Sequence, residues 1–91
     1  MKYIRLRWIH DSRHLPVWLI SELDDHHWEV RKIEIWHDGT KGFADRVSSY
    51  GGTGLNEVPV PPFHELAELP QFQFEEISRP AFEAEWDARE T

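Results

Sequence analysis

Six histidines, several of them beside carboxylates, are the residues of this chain best suited to chemistry. His10 and His14 stand four apart around Asp11, His26 and His27 follow Asp24 and Asp25, and His37 precedes Asp38. Imidazole with carboxylate can hold a divalent metal, or can move a proton near neutral pH. The spacing speaks against the metal. A pair four apart serves one ion when both members lie on one face of a helix, whereas His10 to His14 spans a turn-forming segment. Adjacent His26 and His27 on an extended chain point to opposite faces. For proton transfer the candidates are His10, Asp11, His14 and Glu22, which the first two extended segments could gather. They have no evident nucleophile, because Ser48 and Ser49 lack the Gly-x-Ser-x-Gly elbow that would expose one. Gly51-Gly52-Thr53-Gly54 lacks the lysine and the following helix of a phosphate loop. No cofactor or metal is expected.

The charges point elsewhere. Residues 1–50 balance in charge, while residues 51–91 offer only Arg79 and Arg89 against nine carboxylates, which accounts for the net charge of −7. Such a field disfavours nucleic acid and anionic membranes and favours a basic protein partner. The acids expected to steer that partner are Glu65, Glu68, Glu75, Glu76, Glu83, Glu85 and Asp87. Trp18 and Trp36 fall out of phase with Val17/Leu19 and Ile33/Ile35, so each is either covered by a helix from the second half or exposed; exposed, they are the expected anchors, tryptophan being enriched among binding hot spots. Trp8 and Trp28 share faces with Leu6 and Val30 and are expected in the core. Arg5 and Arg7 are expected to pair across strands with Glu29 or Glu34.

These residues must be carried by a small scaffold. Lys2 to His10 alternates apolar and polar residues at the period of a strand; Val17–Glu22 follows Pro16 as a second, and Trp28–Trp36 is a third. The parity of that third segment changes between Val30 and Ile33, which predicts a bulge near Arg31-Lys32. Asp38-Gly39 signals a two-residue hairpin into a fourth strand from Lys41 to Asp45. Residues 51–62, rich in glycine and proline, read as a flexible connector. Beyond it, residues 63–91 form an acidic helical region: Phe63–Leu69 as a short helix closed by Pro70, an extended connection through Phe72 and Phe74, and a helix from Arg79 to Arg89 capped by Ser78.

With 91 residues and no cysteine, the chain has room for one core and must hold it by packing, with five Trp, five Phe and two Tyr supplying the area. The expected fold is α+β: one domain over residues 1–91, with an antiparallel sheet of about four strands (residues 1–50) packed against one or two short C-terminal helices. The segment Met-Lys-Tyr-Ile-Arg-Leu-Arg-Trp-Ile alternates charge with apolar residues, unlike a signal peptide or membrane helix, so a cytoplasmic location is expected.

Lys2-Tyr3-Ile4, Trp8-Ile9-His10, Ser21-Glu22, Trp28-Glu29-Val30-Arg31-Lys32, Asp38-Gly39, Gly51-Gly52-Thr53, Glu57-Val58-Pro59 and Glu75-Glu76-Ile77-Ser78 together resemble a family of small bacterial proteins catalogued as a domain of unknown function. The resemblance spans nearly the whole chain and carries over no catalytic residue. The functional expectation is a small acidic protein-binding module, of the immunity or antitoxin kind, that occupies a basic partner. The alternatives are a small enzyme with a histidine/carboxylate site and a homo-oligomer pairing through the edge of the first or second strand.

Overall fold

The computed structural model describes residues 1–89, so the last two residues of the expected 63–91 helical region, Glu90 and Thr91, lie outside the described part. The strands are β1 (Lys2–Trp8), β2 (Trp18–Leu23), β3 (Glu29–Ile35), β4 (Lys41–Ala44), β5 (Ser49–Tyr50) and β6 (Phe72–Glu76). The helices are α1 (Phe63–Leu66), between β5 and β6, and α2 (Arg79–Asp87), after β6. The strands form one antiparallel sheet in the order β5-β4-β3-β2-β1-β6. The α+β class and antiparallel pairing match the sequence reading; the strand number is six rather than about four. β5 has only two residues, too few for a periodic signal, and β6 lies within what reads as a connection because Glu75-Glu76 interrupts its apolar alternation.

β6 pairs with β1, aligning Arg5 with Glu75 and Leu6 with Phe74. This pairing makes β1 and β2 interior strands, so the edges available for association are β5 and β6 rather than the first or second strand. On β6 the bonds Ile77 N–H to Tyr3 O and Ile9 N–H to Gln71 O turn the odd residues toward β1 and the backbone groups of Phe74 and Glu76 outward. Glu75 and Glu76 on that rim oppose stacking of a second β6 against it.

Each face of the sheet carries its own core, where the length led to the expectation of one, because α1 and α2 pack on opposite faces. On one face Ile4, Leu6 and Leu23 pack with Val60 and Leu66 under α1 and its flanking segments. On the other, Tyr3, Ile20 and Ile33 pack under Phe82 of α2, with Phe43, Ile77 and Trp86 around them. α2 begins where the sequence indicates: the Ala81 N–H donates to Ser78 Oγ at 3.2 Å, and Pro80 occupies the first turn, where its missing N–H costs nothing. At its other end the Lys41 ammonium donates to the Ala88 carbonyl at 3.0 Å, placing a cation at the negative pole of the helix.

The β2–β3 register shifts between Glu22 and Leu23, which face Arg31 and Glu29, so Val30 is the extra residue of a bulge one position before the expected site. Its effect is specific. By re-aiming the alternation it places Glu29 and Lys32 on one face, where Ser21 Oγ donates to Glu29 Oε2 (3.2 Å), the Asn56 N–H donates to Glu29 Oε1 (2.7 Å), and Lys32 Nζ lies 3.5 Å from Glu29. The Asp38-Gly39 turn is one residue longer than expected: Trp36 N–H bonds Thr40 O, leaving His37, Asp38 and Gly39 as the loop, with Gly39 at φ 88°.

Two expectations fail for reasons visible in the packing. Residues 51–62 are not a loose connector, since Thr53 and Val60 are buried and Asn56 is tied to Glu29. The segment straps the sheet because the bulge gives it a polar group to bind. Trp28 is 41% exposed instead of buried. Its backbone closes the turn with Asp24, after His27 takes a left-handed φ of 66°, and the indole is thrown outward.

The strap leaves no room for a side chain at Gly42. A Cβ on Gly42 would overlap the Thr53 hydroxyl and meet the carbonyl oxygens of Tyr50 and Gly51 at 3.0 and 3.1 Å. Gly42→Ala is therefore expected to cost about 2 kcal/mol, the scale of overpacking, and to speed amide exchange at residues 51–57. Urea denaturation with hydrogen-exchange mass spectrometry checks this; Thr53→Ala in the same background should recover part of the loss.

Candidate functional site

α2 covers only part of its face. Reading across the strands, the row Arg31, Glu22, Tyr3 and the row Phe43, Ile33, Ile20 meet the helix, whereas the row Ile35, Trp18, Arg7, Gln73 borders open space. There a groove of about 570 Å³ runs along the sheet, walled by Trp8, Trp18 and Trp36 and rimmed by Arg7, His10 and His37. Three of the five tryptophans thus line this groove, Trp8 at the end of β1 from the face that packs Leu6 and Phe72 under α1.

Each wall is held in place. The Trp36 indole N–H donates to the His14 carbonyl at 3.3 Å. Trp18 lies beneath two guanidinium groups, with the Arg5 and Arg7 carbons 5.8 and 5.9 Å from its ring centre. Trp8 packs tilted against Phe72 at 5.8 Å and edge-on against the His10 ring at 5.0 Å. The expected anchors Trp18 and Trp36 are both half-buried, yet the fold brings them together. Trp8, expected in the core, is half-buried at the groove's end.

The proton-transfer candidates are not brought together. The Ser12 N–H donates to His10 Nδ1 at 3.1 Å, so Nε2 carries the hydrogen and donates to the Pro16 carbonyl at 2.8 Å. Both nitrogens are committed to holding the β1–β2 loop. Asp11 and His14 are exposed on that loop. Glu22 lies opposite Tyr3 at the other end of β1, roughly 20 Å away at the rise of a strand. Among the described residues no three His, Asp or Glu side chains are placed to hold a metal ion. His27 is spent on the strap, its Nδ1 3.2 Å from the Val60 carbonyl and its ring stacked on Phe63 at 4.9 Å.

Glu22 belongs instead to an ionic group centred on Arg31. Arg31 donates from Nε to Glu22 Oε1 at 2.7 Å and from Nη1 to Glu83 Oε1 at 2.8 Å, fastening α2 to the sheet while its guanidinium lies 4.8 Å above the Phe82 ring. The hydrogen bond from Arg31 holds the Glu22 carboxyl below the usual carboxylate range, although burial pushes it the other way. The same guanidinium lowers Glu83.

The acids of the second half do not form one patch. Glu65, Glu68 and Glu76 lie on the α1 side of the sheet, and Glu75, Glu83, Glu85 and Asp87 on the α2 side. Glu75 is paired with Arg5 and Glu83 with Arg31, whereas Arg5 and Arg7 were expected to meet Glu29 or Glu34. Those partners sit on the opposite face, held by Lys32. Sequence reasoning missed Arg7 as a groove residue, because only the register, Arg7 opposite Trp18, sets it there.

A family model described as a domain of unknown function, DUF6881, matches residues 2–91. No curated protein and no solved structure matches the chain. No helix among the described residues is long and apolar enough to cross a membrane.

Proposed function

We propose that this chain, which belongs to the DUF6881 family, is a protein-binding module that seats its partner in the groove walled by Trp18 and Trp36. The observation carrying this reading is that α2 stops short of that end of the sheet and leaves fixed tryptophans facing solvent, the kind of rigid aromatic surface that dominates binding energy. The alternative of a histidine-centred enzyme draws no support from His10, whose nitrogens hold a loop. At long range the net charge of −7 favours a partner whose body is basic, and an immunity-type protein occupying a basic toxin is the role we propose for it.

Trp18→Ala tests the reading. The side chain is half-buried at the open end, so the variant should keep its far-UV spectrum and melt within a few degrees of the parent. Capture from lysate of its own source at low salt, eluted by rising salt and read by mass spectrometry, is expected to retain a protein with the parent and lose it with the variant. Identical profiles would remove the groove from the function.

A further inference from the structure

The groove differs in charge from the chain that carries it. Although the chain is acidic overall, no carboxylate among the described residues lines this surface. Of the two guanidinium groups over Trp18, that of Arg5 is neutralised by Glu75. The Arg7 side chain is exposed and, among the described residues, its guanidinium makes no ion pair or hydrogen bond. A planar fork of donors therefore stands at the rim of an aromatic channel without an acceptor.

We infer that the groove takes an acidic segment of a partner polypeptide, with one carboxylate on the Arg7 guanidinium and a neighbouring aromatic or aliphatic side chain against Trp18 and Trp36. This rests on the reading of the groove as the partner site and names what enters it. One unneutralised guanidinium matches one carboxylate, bidentate in geometry. A nucleic acid strand needs a succession of cations along its phosphates, and beyond Arg7 it would meet Glu75. The partner can still be basic as a whole, because at physiological salt charges further than about 8 Å apart are largely screened and the docked segment senses the local groove.

The test is selection of a random octapeptide display library with free C-termini against the full chain, alongside a random single-stranded DNA pool, each repeated on Trp18→Ala and Arg7→Gln. The expected result is enrichment, dependent on Trp18, of peptides bearing Asp or Glu beside an apolar residue, with binding kept when the C-terminus is amidated. Binding lost on amidation would overturn the acidic segment in favour of a chain terminus. Arg7→Gln should weaken these peptides about tenfold or more, the worth of a hydrogen bond to a charged group, and Arg7→Lys should fall between. Since Arg7 is exposed, unchanged melting of both variants serves as the folding control. Enriched peptides that depend on Trp18 but are neutral or basic overturn the acidic segment and leave the partner site standing. Enrichment of DNA alone overturns it in favour of nucleic acid. No enrichment dependent on Trp18 in either pool overturns the inference and the partner site together.

Discussion

Phe82→Ala is expected to remove about 4 kcal/mol of stability and to lower the melting temperature by about 20 °C. Phe82 is fully buried and is the point at which α2 enters the core: its ring meets Tyr3 at 5.3 Å and Trp86 at 6.3 Å, with Ile20 and Ile33 beneath and the Arg31 guanidinium above. Truncation removes the apolar area and leaves a cavity between sheet and helix that a nine-residue helix has few other contacts to close. A chain of this length has about 5–13 kcal/mol in total, so the loss is a large share of it. Thermal denaturation followed by circular dichroism, with Phe82→Leu as the milder comparison, checks the value. A loss below about 1 kcal/mol would mean that α2 is not docked as described.

Removing the cation of the Glu22–Arg31–Glu83 group is expected to cost about 3 kcal/mol at pH 7, because Glu22 would be left charged with its side chain only 8% exposed. The pH dependence identifies the cause. In the parent, the Glu22 and Glu83 carboxyls are depressed below 4.5, so their contribution is fully present above that pH and fades as the pH falls through the depressed values. In Arg31→Met the burial of Glu22 is no longer opposed by a guanidinium, so its affinity for protons rises and acidification relieves the strain. The two stability curves should therefore converge between pH 7 and pH 3.5 in urea titrations. Glu22→Gln added to Arg31→Met should recover part of the pH 7 loss. A gap equal at both pH values would assign the effect to lost packing over Phe82 and Trp86 instead.

The two groups show where the sequence is readable. Alternation from Lys2 to Trp8, the parity change around Val30 and the Ser78-Arg79-Pro80 cap are encoded by neighbours in sequence, and each appears within a residue or two of its expected place. Arg31 is legible as a charge on β3 but not as the clasp of α2, because Glu83 lies 52 residues away. β6 reads only as an extended connection for a related reason: the hydrogen bonds that make it a strand come from β1, whose residues lie about 70 positions earlier. The 51–62 segment reads as flexible from its glycines and prolines, and is straightened into a strap by what it packs on.

For the groove, the sequence offers Trp18 and Trp36 as expected anchors, but phase does not decide their place: Trp18 shares its face with the buried Ile20, because both faces of this sheet carry a core. The family resemblance, the α+β class and the charge asymmetry were likewise readable from the chain itself. Tertiary structure alone decided that the two tryptophans line one groove with Trp8, that Arg7 stands over Trp18, and that the acids divide between two faces. The reason is physical. Local patterns follow from periods of two and 3.6 residues, whereas a binding surface is set by cross-strand register and by how far a helix extends over a sheet, and both are determined by contacts between residues distant in sequence.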